Sequence, residues 1–318
     1  MTELWNSLKQ QIAQHNWGLF GPTSYVLGVD LGSYGLRAVI TDICGEHLFH
    51  ANRELAAESN ATTVLEQSFS LIHELLETNQ VPAQQIVRIG VGFGGPVDAV
   101  RGITRRSYRM PGWDDLNVCE QFEAAFDAQT LIENDASLIA FGEYMFGAGR
   151  DVQDLYYLHL STGVGSGLVL NGQLHRGVTT SAGEIGHARY SLSHQREIED
   201  LLSIRGLLAR ANELGLQTDD LDILFNDADA GAKTISEAVD VLGLGLAGVV
   251  QLLDPALLVL GGIVTRKGGD GLCSAVEAQV NQLISPTPQR HVPVVHSLLG
   301  AEAVAIGGLA LALQSLNQ

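Results

Sequence analysis

The sequence predicts an α/β protein of two lobes, and three observations carry that prediction. Apolar runs of strand length alternate with runs at helical spacing in both halves of the chain, the pattern of sheets with helices packed on them. The 318 residues exceed the ~250–300 at which a single core stops growing. Several apolar runs end in glycine-rich or Asp-containing turns, and ligands in such folds bind beyond the carboxyl ends of strands.

The elements follow in order. Residues 3–15 carry Leu4, Leu8 and Ile12 on one side of a short helix, which precedes the break at Gly21-Pro22. The runs YVLGVDLG, LRAVITDI and EHLFHANREL form a meander of strands, with Gly32, Gly35 and Gly45 at its turns. Leu65, Phe69, Ile72 and Leu76 place a helix over 64–79, with Glu66 and His73 off its apolar stripe. VRIGVGFGG (87–95) is a buried strand ending in a glycine turn, and a helix over 115–127 leads to the strand TLIEND (130–135). A helix begins directly after Asp135. DLYYLHLS (154–161) and GLVLNGQLHRG are strands around TGVGSG, the second turning at the hairpin dipeptide Asn171-Gly172. Helices are expected at 199–213, 217–225, 233–253, 269–284 and 300–314, with the strand LLVLGG (257–262) among them. The expected division is an N-terminal extension (1–24), an N-terminal α/β lobe (25–133) and a C-terminal α/β lobe (134–318), with the final helix free to pack back on the first lobe.

Charge narrows the functional classes. Lys plus Arg number 18 against 36 Asp plus Glu, a formal charge of -18, so the surface repels nucleic acid and anionic membrane unless a local patch intervenes. Arg101, Arg105, Arg106 and Arg109 form the nearest thing to one, and read equally as a solvated hairpin or loop or as an anion or substrate contact. Cys44, Cys119 and Cys273 lie far apart, which fits a reducing cytoplasm and excludes a cysteine framework. No run of the N-terminus is continuously apolar enough for a signal or a membrane span, and later apolar runs are interrupted by Gly, Asp and Pro.

Four places carry chemistry, each with a plainer alternative. Asp30 in GVDLGSYGLRA ends a strand before Gly32, where a carboxylate can hold a magnesium-bound water beside a phosphate; it equally makes a hairpin turn. Thr162, Gly163, Gly165 and Gly167 form a glycine-rich turn between two strands, suited to phosphoryl oxygens or to a tight hairpin. No Gly-Lys-Ser/Thr follows it, and a strand stands where a dinucleotide site needs a helix. Asp135 in IENDAS, with Asn134 beside it, can take a proton from a hydroxyl nucleophile or cap the helix that follows. GEIGHARYSLSHQREIEDLLS gathers Glu184, His187, His194, Glu197, Glu199 and Asp200, as a metal site, a sugar or acid–base site, or a wet loop.

The segments GVDLGSYGLRAVITD, GVGFGGPVD, MPGW, ENDAS, STGVGSGLVLNGQLHRG, SAGEIGH, EDLLSIRGL and LLDPALLVLGG, in this order over about residues 25–315, resemble the ROK family of bacterial sugar kinases and sugar-responsive repressors. That resemblance implies a two-lobed actin/hexokinase-like (ribonuclease H-like) fold with the ligand cleft between the lobes. It implies ATP and Mg2+ as cofactors, with Asp30, Gly32 and Ser33 at the first phosphate motif and Asp30 reaching magnesium indirectly. Ser161, Thr162, Gly163 and Gly165 match the second phosphate motif, and Gly261 with Gly262 the adenosine-side turn. Asp135 matches the catalytic base acting on a sugar 6-hydroxyl, and Gly95, Asn134, Asp135, Glu184, His187 and Glu199 match sugar-side positions. His194, Glu197 and Asp200 are then left as solvated groups.

This sequence departs from the family pattern in four places, the largest of them in the loop after His187. Ser33-Tyr34 replace the usual Gly-Thr, Arg109 replaces the Asn before Met-Pro-Gly-Trp's counterpart, and Ile263 stands where a third glycine is common. The loop after His187 lacks the three cysteines of the family's structural zinc, so zinc is not expected, and packing of Tyr190, Leu192 and Ile198 is expected to hold the loop instead. About 25 residues precede the resemblance, too few for a winged-helix DNA-binding domain. The expected partners are a small-molecule sugar and a nucleotide, with no nucleic acid and no membrane, in a cytoplasmic homodimer. The expected activity is phosphorylation of a hexose or N-acylhexosamine, and the alternative is a catalytically weak sugar-binding or sensory protein.

Overall fold

The computed structural model describes residues 2–15, 17, 20–33, 35–56, 59–107, 110–190, 196–284 and 290–317. The chain forms two compact units, each on its own five-stranded mixed sheet. The first opens with α1 (Thr2–Ala13), whose Leu8 and Ile12 are fully buried. An antiparallel meander of β1 (Tyr25–Leu31), β2 (Gly35–Asp42) and β3 (Leu48–Glu54) follows. Asn60 then caps α2 (Ala61–Thr78), its side chain accepting the Thr63 N–H at 3.0 Å, and Val64, Leu65, Ile72 and Leu76 form the buried face. Next come β4 (Ile86–Phe93), the short hairpin β5 (Val97–Asp98) and β6 (Ile103–Thr104), α3 (Val118–Phe126), β7 (Gln129–Asn134) and α4 (Asp135–Phe146). β4 pairs parallel with β1 and β7 parallel with β4, giving the order β3-β2-β1-β4-β7. β1 is buried almost throughout, which is why YVLGVDL reads as an apolar run rather than an alternation.

The second unit contains β8 (Leu155–Leu160), β9 (Val164–Leu170) and β10 (Gln173–Leu174), all antiparallel neighbours. Asn171 (φ 52) and Gly172 (φ 71) make the two-residue turn between β9 and β10, as the dipeptide predicts. Helices α5 (Ile198–Leu202), α6 (Ile204–Glu213), α7 (Leu221–Asn226) and α8 (Ala230–Leu253) come next. They are followed by β11 (Leu257–Gly261), α9 (Gly262–Leu283) and β12 (Val294–His296), the strands lying parallel to β8 in the order β10-β9-β8-β11-β12. α8 is long and apolar enough to cross a membrane by length and composition; Leu242, Leu246 and Val250 are buried, whereas Leu244 and Leu252 are exposed. The chain ends with α10 (Ala303–Ser315) back in the first unit.

The structure moves several expected boundaries. The units divide after Gly147 rather than after residue 133, because α4 packs on α10, and residues 176–182 also belong to the first unit. The helix expected over 199–213 is two helices, broken at Ser203, whose side chain accepts the Gly206 N–H at 3.2 Å and caps the second. The helix expected from 269 begins at Gly262 and is kinked at Gly269 (φ 57, ψ -161). The β5–β6 hairpin turns at Arg101, within the stretch that read as hairpin or loop, whereas β12 was not anticipated, since a strand of three residues is too short to show alternation.

α10 lies directly on the backbone of β1, β4 and α4. A Cβ on Gly28 would run into the Ala305 carbonyl, one on Gly90 into the Gly308 carbonyl, and one on Gly307 into the Leu138 carbonyl. Overpacking against a backbone that cannot step aside costs about 1–3 kcal/mol. Gly90→Ala is therefore expected to lower unfolding free energy by about 3 kcal/mol in urea titration, against less than about 0.5 kcal/mol for Gly21→Ala, since a Cβ at Gly21 meets nothing within 4 Å.

Candidate active site

The expected site residues fall into two groups, one in each unit. In the first, Asp30, Gly95 and Asn134-Asp135 stand at the carboxyl ends of β1, β4 and β7, three adjacent strands. Asn134, not Asp135, is the cap of α4: its Oδ1 accepts the Ala136 and Ser137 N–H groups at 3.0 and 3.3 Å. Its Nδ2 donates to the Gly95 carbonyl at 3.2 Å, which joins the β4 and β7 ends. Asp135 is the first helical residue, with Oδ1 accepting the Ala136 N–H at 2.7 Å. Asp30 is buried, and burial pushes its carboxyl up to about 7; the neighbouring Asp135 charge adds to the rise and Arg37 opposes it. Arg37 Nη1 reaches Asp30 Oδ2 at 3.4 Å from the facing position of the β1–β2 register. Gly32 follows in the turn, where a Cβ would lie 3.3 Å from Asp30 Oδ1. Ser33 is half-buried beside it, and Tyr34 and Arg109 lie outside the described residues.

In the second unit, Ser161, Thr162 and Gly163 turn the chain from β8 to β9, and Gly165 lies in β9. The Ser161 N–H donates to the Gly163 carbonyl at 3.0 Å, and the Ser161 carbonyl accepts the Ile204 N–H that opens α6 at 2.9 Å. The turn is tied to the GEIGH stretch at three points. Glu199 Oε2 accepts the Val164 N–H at 2.9 Å. Ser166 Oγ, itself bound by the Tyr156 hydroxyl, donates to the Gly183 carbonyl at 2.7 Å. Gly186 packs so closely on Val164 that a Cβ would overlap its carbonyl. Gly261 faces His159 across β8–β11, and Gly262 (φ 90) starts α9 against the Leu160 carbonyl. His159 is held neutral: burial drives its imidazole down to about 4, the Arg266 charge acts in the same direction, and the Tyr157 hydroxyl meets Nδ1 at 2.7 Å.

His187 has a definite orienting partner. Its Nδ1 lies 2.9 Å from Glu197 Oε2, and its Nε2 3.9 Å from Glu184 Oε2. The hydrogen bond to Glu197 raises the His187 pKa, with the Glu197, Glu184 and Glu199 charges adding to it against partial desolvation. Glu197 and Asp200 are thus not merely solvated, because Asp200 Oδ2 also accepts the Glu197 N–H at 2.9 Å. The loop closes through a bridge between Arg189 and Glu197 and an Ile198 N–H to Ala188 carbonyl bond of 2.9 Å. Ile198 is buried; Leu192 and His194 lie outside the described residues. Around His187 the donors are carboxylates, a set suited to hydrogen bonding a polyol rather than to thiolate-held zinc. Among the described residues, the one His/Cys/Asp/Glu group with converging ligand atoms is Asp42, Glu46 and His47. There Asp42 already accepts the Glu46 and His47 N–H groups and meets His47 Nδ1, as a turn brace.

Sequence reasoning missed Arg37, Glu197 and the pair Glu133–Arg176. Arg37 was legible in principle, since a tight turn after Leu31 sets Asp30 opposite Arg37. Glu133 is buried at 1% exposure, its Oε1 accepting the Asn134 N–H at 3.0 Å and its Oε2 the Arg176 Nε–H at 2.5 Å. Nothing local in the sequence joins residues 43 positions apart.

The ROK family model matches residues 26–315 of this chain. The xylose repressor of Bacillus spizizenii is 24% identical over 298 residues, covering 89% of this chain and 75% of the repressor. The ROK hexokinase from Thermus thermophilus superposes with a TM-score of 0.80 at 27% identity, over 92% of this chain and 99% of that one. A ROK family glucokinase from Streptomyces griseus, solved in complex with glucose and AMPPNP, superposes with a TM-score of 0.75 at 24% identity, over 92% and 100%.

Two titrations test the geometry. Asp30 has a folded pKa near 7 against 3.8 for the free carboxyl, so the stability it contributes is complete below about pH 4 and lost as pH rises through about 7. Measured against Asp30→Asn, wild-type stability in denaturant should fall across that window by roughly 4 kcal/mol. His187 is raised, so its ion pair with Glu197 is complete below about pH 6.5 and lost as pH rises through the folded pKa. In an NMR titration Glu197→Gln should move the His187 midpoint down.

Proposed function

This chain belongs to the ROK family, and from that premise we propose that it is a sugar kinase, transferring the γ-phosphoryl group of ATP to a hexose or N-acylhexosamine hydroxyl, the 6-hydroxyl. Its architecture is the two-lobed α/β fold of ROK and actin/hexokinase-like proteins. The observation that carries the proposal is the grouping of Asp30 and Asp135 at the ends of β1 and β7, the strands on either side of β4, near enough for the Asp135 charge to act on Asp30, with Asn134 fixing the backbone between β7 and α4.

In this reading the Asp135 carboxylate accepts the hydroxyl proton as the sugar oxygen forms its bond to the γ-phosphorus and the bond to the ADP oxygen breaks. Asn134 holds that carboxylate in place through the helix cap rather than by contact with sugar. Asp30 fits magnesium by its chemistry. It is a buried oxygen donor beside a second carboxylate, countered by Arg37 at 3.4 Å, and a divalent cation would favour its ionised form. A magnesium ion there would draw off charge developing on the phosphates. The Ser161 and Val164 N–H groups are committed to Gly163 and Glu199, so phosphate binding is assigned to Thr162 and Gly163. His187, oriented by Glu197 at Nδ1, turns Nε2 to a sugar hydroxyl, while Glu184 and Glu199 accept from others.

The repressor relative, 24% identical over most of this chain, favours a second reading: a protein that binds sugar without turning it over. A coupled ATPase assay over a sugar panel separates the two. Asp135→Asn should lower kcat by roughly 10²–10⁴-fold, with sugar affinity by calorimetry nearly unchanged. Sugar binding with no wild-type turnover on any sugar of the panel would leave the sensor reading in its place.

A further inference from the structure

We propose that Glu133 and Arg176 are positioning residues for the base, setting the backbone from which Asp135 projects; the inference rests on the kinase reading for its catalytic consequence and on geometry for its structural one. Glu133 is the residue before Asn134 at the end of β7, and its two oxygens are divided between two tasks. Oε1 accepts the Asn134 N–H at 3.0 Å, and Oε2 accepts the Arg176 Nε–H at 2.5 Å. Asn134 in turn spends its Oδ1 on the Ala136 and Ser137 N–H groups and its Nδ2 on the Gly95 carbonyl. The chain of bonds thus runs from Arg176 through Glu133 and Asn134 to the first turn of α4, whose first residue is Asp135.

The partner is held as deliberately as the carboxylate. Arg176 opens the segment 176–182, which lies in the first unit although the chain on either side of it belongs to the second. Thr180 Oγ1 donates to the Val97 carbonyl at 2.7 Å, and the Ala182 N–H to the Arg176 carbonyl at 3.1 Å. Thr180 sits at φ 58, a region costly for a β-branched residue, and persists there because both ends of the segment are tied down. The segment continues directly into Gly183 and Glu184. A buried carboxylate that loses its cation partner is left uncompensated, so Glu133 keeps its aim on Asn134 only while Arg176 is in place. A cation is what the buried carboxylate needs first, and a lysine retains that charge although it lacks the directed Nε–H.

The test uses the full chain and two readouts. With the sugar that the wild type phosphorylates best, Arg176→Met should lower kcat by ten- to a hundredfold while the sugar KM stays within threefold. Arg176→Lys should recover kcat to within about threefold of wild type. Amide exchange resolved by NMR should quicken at least tenfold at Ala136 and Ser137 in Arg176→Met and stay unchanged at Gly90 and Val91 in β4. Unchanged exchange at Ala136 and Ser137, a change confined to KM, or a loss of protection across the whole first unit each overturns the proposal. If no sugar is turned over by the wild type, the kinase reading fails, and the exchange measurement still decides the positioning role. Should Arg176→Met not fold, Glu133→Gln removes the buried charge together with the pair, and the same two measurements are made on it.

Discussion

The first unit depends on a backbone-to-backbone contact between its sheet and the end of the chain. α10 approaches β1 and β4 so closely that Gly28 and Gly90 have no room for a Cβ, and Gly307 meets α4 in the same way. No side-chain layer separates the elements, so the contact has almost no tolerance and fixes the distance from helix to sheet. The Leu299 N–H reinforces it by donating to Glu143 Oε1, on a carboxylate fully buried in α4. Since β1, β4 and β7 carry Asp30, Gly95 and Asn134 at their carboxyl ends, the same contact sets the level of all three. It also links residues near 28 and 90 with residues near 308, so the unit cannot close until its C-terminal helix is made, and loop closure of that length slows folding.

The second unit uses the same device on a smaller scale. Gly183 and Gly186 let the GEIGH stretch lie against the Ser166 and Val164 carbonyls of β9. Their spacing is a packing requirement before it is a chemical one. Close approach then makes the polar cross-links short: Ser166 to Gly183, and Glu199 to Val164. His187 is delivered to the same place by that packing and aimed by Glu197 through its Nδ1. The raised His187 pKa follows from this arrangement, with three glutamates around one half-exposed imidazole.

Much of this was legible in the sequence because it is local. Strand–helix alternation gave two α/β units, and Asn171-Gly172 gave its hairpin. The strand-end positions of Asp30, Asn134, Asp135 and Ser161 followed from where apolar runs stop. What was not legible depends on distant partners. Residues 176–182 look like any polar loop until Glu133 and Val97 are brought beside them. The break at Ser203 is hidden because α5 and α6 share a continuous helical pattern, and the cap that parts them needs only one hydroxyl. Glu197 reads as one acid among several, and only the turn at Ala188 and Arg189 brings it to His187. The division at Gly147 depends on α4 belonging with α10, a pairing no window of sequence contains.

Charge distinguishes Glu133 from Asp30, two buried carboxylates that the sequence presents alike as acids at strand ends. Glu133 has a guanidinium at 2.5 Å and a backbone N–H at 3.0 Å, so both its oxygens are engaged in holding position. Asp30 has its guanidinium at 3.4 Å and a second carboxylate near by, so burial pushes it towards neutrality instead. A tight pair fixes geometry, whereas a loose one leaves a carboxyl that changes state when a proton or cation arrives. A chain of formal charge -18 repels a polyanionic nucleotide at long range. In the kinase reading, a site carboxyl near neutrality when no cation is bound would lessen that repulsion locally, and its ionised form would serve as an oxygen donor to a magnesium ion. The unit thus separates the acid that holds from the acid that responds by how closely an arginine approaches each.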